Sequence, residues 1–199
     1  MNKSIIHDAI VLCLITLIAG VALGGVHELT AEPIAIAHEK AANETYREVF
    51  PDAVNFRTDE EIAAKLEAAA GDIAAQGFGT VEEVKTALDA SDNVIGYIVN
   101  ATGKGYGGPV QISCGISSEG KLTGLGFLSI SETPGLGMRA NTPEFRSQFP
   151  GKSAAEKLEL VKSGEAGEHG VQAISGASIT SGAVTNALNA AVYFVNQIM

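Results

Sequence analysis

An uncharged apolar run, AIVLCLITLIAGVALGGV from Ala9 to Val26, lies near the start of this chain of 199 residues. A helix needs about 20 predominantly apolar residues to cross the hydrocarbon core of a bilayer. The run reaches that length with its flanks, since Ile5 and Ile6 extend it beyond His7 and Asp8. It reads as a retained membrane anchor. The rival reading is a cleaved signal peptide, with Lys3 as its charged region and VALGG near the cleavage site. The run is long for such a peptide, and Asp8 is unusual before one. Lys3 precedes the span, whereas His27, Glu28 and Glu32 follow it. The positive-inside bias then puts the N-terminus in the cytoplasm and everything after the span outside.

Charge narrows the partners. The formal net charge is -10. Nucleic acid is a poor partner for such a chain, because phosphate contacts need Lys and Arg gathered on one face. An anionic bilayer surface would repel it for the same reason. The two cysteines, Cys13 and Cys114, fall in the apolar run and in a strand-like segment, which argues against a disulfide framework or a metal site. The four histidines show no ligand spacing.

Beyond the span, Pro33 suits the first turn of a new helix, and Ile34, Ala37, Ala41, Thr45 and Val49 follow at helical spacing up to Pro51. A second helix is expected from Thr58, capped through Glu61. From Val81 the pattern changes to short strands, VEEVKTAL, NVIGYIVNAT, PVQISCGIS and LTGLGFLSI. The last three read as an antiparallel meander. NTPEFRSQF reads as a short helix begun by Thr142 and Pro143, and KLELVKSG as a strand or a short helix. A final amphipathic helix is expected from Ile179. The fold class is α+β, a twisted antiparallel sheet packed by helices and tethered by one transmembrane helix. The expected division is 1–27 for the cytoplasmic tip and span, 28–80 for a juxtamembrane helical region and 81–199 for a binding domain.

Three glycine-rich patches are the chemical candidates: GKGYGGP (Gly103 to Pro109), ETPGLG (Glu132 to Gly137) and SGASITSG (Ser175 to Gly182). Glycine lets a backbone approach a ligand closely, and a helix N-terminus is a ready anion site. The plain alternative for each is turn chemistry. GYGG is then a hairpin bend, TPGLG a type II turn centred on Pro134 and Gly135, and Thr180 or Ser181 a helix cap. No patch matches a Walker loop, a Rossmann fingerprint or a nucleophile elbow.

The order of a membrane helix, GYGGPVQI, SETPGLG and SGASITS before a terminal helix resembles the extracytoplasmic FMN-binding domain family. Within it the chain is most similar to the G subunits of Rnf ion-translocating electron transport complexes. The C subunits of the sodium-pumping NADH:quinone reductase form a sister family. The resemblance spans essentially the whole chain. It implies FMN attached through a phosphoester to the hydroxyl at the fourth position of the S-G-A-T motif, here Ser178. A separate flavin transferase using FAD makes that bond. Two positions depart from the family pattern: Ser178 stands where the family has Thr, and Gln172 where it often has Asp. Thr180 and Ser181 are the fallback acceptors.

The remaining roles follow by inference from position. Ser175, Gly176 and Ala177 form the turn that presents the acceptor. Gly135 and Gly137 are expected to offer backbone N–H groups to the flavin. Leu136 is expected to pack on the ring and Glu132 and Thr133 to bond to its edge or to the ribityl chain, with Tyr106 and Lys104 as weaker candidates. The function that the resemblance implies is electron transfer as one redox subunit of a ferredoxin- and NAD-coupled translocase in the inner membrane, with the other Rnf-type subunits as partners. No complete activity is expected of this chain alone. The alternative is a membrane-tethered binding or structural subunit without covalent flavin.

Overall fold

The computed structural model describes residues 3–198; Met1, Asn2 and Met199 lie outside the described residues, the first two being part of the expected cytoplasmic tip. The chain divides into two compact units, Met1–Ala41 and Ala42–Met199. The first is part of a single long helix, α1 (Lys3–Val49). The sequence pattern predicts two helices here, the second opening at Pro33, but Pro33 lies inside one helix. Proline removes one backbone donor and crowds the carbonyl four residues earlier. The alanine-rich helix formers on either side, TAE and IAIAHEKAA, carry the rest of the hydrogen-bond ladder across it. Among the described residues α1 is long and apolar enough to cross a membrane, with a mean hydropathy of 2.6 over 18 residues. Leu12, Ile18 and Leu23 along it are exposed. Such a helix fits a membrane anchor.

The second unit is built on a five-stranded antiparallel sheet, ordered β1 (Asn55–Thr58), β2 (Thr80–Leu88), β3 (Val94–Lys104), β4 (Pro109–Ser117) and β5 (Leu122–Ser129). Strand neighbours in space are neighbours in sequence, so the expected meander of β3, β4 and β5 is present, and β2 and β1 continue it on one side. The sequence pattern does not predict strand β1, because NFRT is too short to show an alternation. Helix α2 (Glu60–Ala75) starts later than expected. Asp59, not Thr58, is its cap, and the Asp59 carboxylate accepts the Glu61 N–H at 3.0 Å. Thr58 is instead the last residue of β1, paired with Lys85.

Both faces of the sheet are covered, and the period of two along β3 shows how. Val99 and Ala101 belong to the core beneath α4 (Ser178–Ile198) and α2, while Ile98 packs with Tyr46, Val49 and Phe50. A strand buried on both faces is nearly continuously apolar, as YIVNA in β3 is. Asn100 is the polar exception. Its amide donates to the Tyr46 hydroxyl at 2.6 Å and to Glu83 at 3.1 Å. The last turns of α1 lie close on β5: a Cβ at Gly126 would fall 2.9 Å from a Val49 methyl. Thr123 donates to the Val49 carbonyl, and the Arg146 guanidinium joins Glu48 at 2.8 Å to the Leu125 carbonyl.

After β5 the chain forms a 3₁₀ turn (Gly137–Asn141), the short helix α3 (Pro143–Arg146) expected from NTPEF, and a parallel pair, β6 (Glu159–Val161) with β7 (Gly170–Gln172). KLELVKSG thus resolves as a strand. Asn189 of α4, itself buried, fastens this segment. Its side chain accepts the Leu158 N–H at 2.7 Å and donates to the Leu158 carbonyl at 2.9 Å.

Candidate functional site

The three glycine-rich patches meet. The tip of the β3–β4 hairpin, the loop after β5 and the turn into α4 line one open cavity of about 430 Å³. Small-molecule sites typically span about 300–1,000 Å³. Each loop also has the local geometry that its plain turn chemistry predicts. Gly105 N–H bonds to the Gly108 carbonyl at 2.9 Å and closes the hairpin. Leu136 N–H bonds to the Thr133 carbonyl at 3.1 Å with Gly135 at φ +75°, the pattern of a type II turn. Ala177 N–H bonds to the Ile174 carbonyl at 2.9 Å with Gly176 at φ +79°. Turn chemistry and cavity building are therefore one arrangement here, not rival readings.

Helix α4 begins at Ser178 itself, one residue earlier than the apolar pattern indicates. Its first intrahelical bond runs from Ser181 N–H to the Ala177 carbonyl at 3.0 Å. The amides of Ser178, Ile179 and Thr180 thus have no partner within the helix, and these three residues line the cavity. The hydroxyls of this turn are in different states. Ser181 is fully buried, accepting the Ile174 N–H and donating to the Ala177 carbonyl. Thr180 is 1% exposed and donates to Glu132 at 3.0 Å. Ser178 is exposed, and its hydroxyl has no hydrogen-bond partner among the described residues.

Of the residues singled out in the sequence, Tyr106, Glu132, Thr133, Leu136, Gly137, Gly176, Ala177, Ser178 and Thr180 line the cavity. Gly135, Ser175 and Ser181 do not: Gly135 and Ser175 face outward in their turns, and Ser181 fastens the turn from below. Lys104 lines a neighbouring hollow that shares Tyr106 with this cavity. Sequence reasoning misses Ile179 as a site residue. It lines the cavity with 55% of its surface exposed, although its place in the apolar stripe of α4 suggests a core position.

These residues suit FMN. Leu136 and Ile179 are exposed aliphatic surfaces for a flat ring. Among the described residues no Lys or Arg lines the cavity, so a phosphate would be held by helix amides and the positive end of the α4 dipole. Exposed apolar walls and an anion-accepting helix start, on a domain joined to a membrane-length helix, define a tethered binding domain for a phosphorylated cofactor.

Comparison with known proteins agrees. The family model described as FMN-binding domain matches residues 105–193, and that described as RnfG N-terminal region matches residues 1–49. The chain is 36% identical over 196 residues to the G subunit of the Na(+)-translocating ferredoxin:NAD(+) oxidoreductase complex of Acetobacterium woodii, covering 96% of this chain and 91% of that one. It is 32% identical to the G subunit of the ion-translocating oxidoreductase complex of Methanosarcina acetivorans, covering 98% and 96%. The crystal structure of Shewanella oneidensis NqrC shares the fold, with a TM-score of 0.50 at 23% identity over 75% of this chain and 73% of that one. The chain belongs to the RnfG family, the G subunits of Rnf-type ion-translocating oxidoreductase complexes.

Proposed function

We propose that this chain is an electron-transfer subunit of a membrane-bound, ion-translocating oxidoreductase of the Rnf type, coupled to ferredoxin and NAD, and that it holds FMN by a phosphoester to Ser178. The observation that carries the attachment site is the contrast among three hydroxyls of one helical turn. Thr180 and Ser181 are buried and already bonded, while Ser178 is exposed and free. The bound flavin would supply the redox chemistry, and the protein position and electrostatics. Ser178 contributes the ester oxygen, the first turn of α4 faces the phosphate with its amides, and Leu136 and Ile179 shield the ring from water. Attachment moves the FMN part of FAD to the Ser178 oxygen, with AMP leaving, and requires a flavin transferase as a partner. The other subunits of the complex are the permanent partners, and α1 anchors the chain beside them with the N-terminus cytoplasmic and the domain outside.

The test is co-expression with a flavin transferase and FAD. A fluorescent band should survive a denaturing gel, and the peptide containing AISGASITSGAV should gain the mass of FMN less one water at Ser178. Ser178→Ala should abolish the band and Ser178→Thr retain it. A band that persists in Ser178→Ala but vanishes in Thr180→Ala would move the site. No band in any version would leave a subunit without covalent flavin. A periplasmic-type reporter fused after α4 should be active, and a cytoplasmic one silent.

A further inference from the structure

The position of Glu132 in the sequence leads one to expect that it meets the flavin. It lines the cavity, yet it is only 7% exposed. Its carboxylate is engaged by the protein on both oxygens. Oε1 accepts the Tyr106 N–H at 2.8 Å and the Gly107 N–H at 3.1 Å, and Oε2 accepts the Thr180 hydroxyl at 3.0 Å. None of the ion pairs among the described residues includes it. Its donors come from two stretches of chain, one at the hairpin tip and one in the first turn of α4, and Glu132 itself belongs to a third. The packing around the node admits nothing larger. A Cβ at Gly137 would fall 2.6 Å from the Thr180 oxygen and 2.7 Å from Glu132 Oε2. Burying a carboxylate is costly unless its acceptor sites are filled. A loop that needed only a turn would not place one here.

We propose that Glu132 is a positioning residue, a latch that joins the hairpin tip to the first turn of α4 and so aims the Ser178 hydroxyl and sets the cavity walls before any flavin arrives. The inference rests on Ser178 being the acceptor. Thr180 is two residues from Ser178 in the same turn, so its bond to Glu132 fixes the rotation of the helix start. Tyr106 stands on the opposite wall, held through its own amide. Both walls are thereby set from one side chain, and flavin attachment becomes sensitive to a residue that need not touch the flavin.

Glutamine separates position from charge. Its carbonyl oxygen can accept both amide donors, and its NH₂ can donate to the Thr180 oxygen once that hydroxyl turns. The full chain is prepared as wild type, E132A, E132Q and T180V, without flavin and then with flavin transferase and FAD. In E132A, hydrogen exchange at the Tyr106 and Gly107 amides should accelerate by about tenfold or more, while Val99 and Cys114 in the sheet stay protected. The initial rate of flavin attachment should fall by about tenfold, the rate factor of one lost hydrogen bond. E132Q should restore both. T180V cuts only the α4 arm, so it should slow attachment while leaving Tyr106 and Gly107 protected; it carries the test if E132A also loses protection at Val99 and Cys114. Unchanged exchange at Tyr106 and Gly107 in E132A would overturn the latch. So would attachment at the wild-type rate in E132A or T180V, and so would an E132Q chain that stays protected but attaches as slowly as E132A. No attachment in the wild-type chain would instead remove the reading of Ser178, while the exchange measurements still judge the latch.

Discussion

Asn189 is the polar residue whose removal should be felt most directly. Its side chain makes both backbone bonds of Leu158, which is itself buried. Asn189→Ala strips the partner from one N–H and one carbonyl at once, deep under α4. An unsatisfied buried polar group costs about 1–3 kcal/mol, so the pair should cost roughly 2–4 kcal/mol after partial relaxation. In a chain of this size that is a fall of roughly 5–15 °C in Tm. The assay is thermal unfolding of the detergent-solubilised chain by circular dichroism. Asn189→Asp adds a test of sign. One carboxylate oxygen keeps the Leu158 N–H, while the other faces the Leu158 carbonyl, where only the protonated form can donate. The folded state therefore holds that proton more tightly, and the folded pKa is raised above the unfolded value of about 3.9. The penalty should be small below about pH 4 and grow as pH rises toward the folded pKa. An Ala variant within about 0.5 kcal/mol of wild type, or an Asp penalty that is flat from about pH 4 to 8, would refute the reasoning.

Two further outcomes are expected. Gly135→Val forces a branched residue to φ +75° and should cost about 1–3 kcal/mol; attachment at Ser178 should survive, but the flavin's reduction potential should shift because the Leu136 wall moves, and a redox titration that overlays wild type would make this loop a turn only. Burial alone pushes the Cys114 thiol up to about 12, so a maleimide should label Cys114 only after denaturation; labelling in the native chain would show that β4 opens.

Strands β2 to β5 were legible because they alternate or run apolar between obvious turn residues, and their meander needs no long-range information; the four-residue β1 was not. The loops were legible as turns from Pro134, Gly135 and the GYGG tip. Three further features were not legible. Helix α1 passes through Pro33 because one missing donor does not outweigh the ladder on either side, and a local rule sees only the proline. The α2 cap shifted from Thr58 to Asp59 because pairing of Thr58 with Lys85 claimed the threonine for β1, a contact across 27 residues. The engagement of Glu132 depends on partners 25 and 26 residues earlier and 48 residues later, so no window of the sequence contains it. Gln172, read as a departure at a recognition position, has a structural task. Its N–H bonds to Gln148 at 2.7 Å and its side chain donates to the Val161 carbonyl at 3.3 Å, which ties β7 to its neighbours.

Ser178, the proposed acceptor, is the first residue of α4, and thirteen residues of that helix are buried, from Thr180 through Val195. A group bonded at Ser178 therefore sits at the end of a rod clamped along most of its length. Sites on such elements hold their geometry better than sites on loops. Electron tunnelling weakens steeply with each added ångström, so jitter in a carrier's position becomes jitter in its rate. With flavin at Ser178, the cargo would be fastened to a helix buried along most of its length, the donor–acceptor gap would stay within a narrow band, and any wide gating of electron flow would have to come from the neighbour that approaches it.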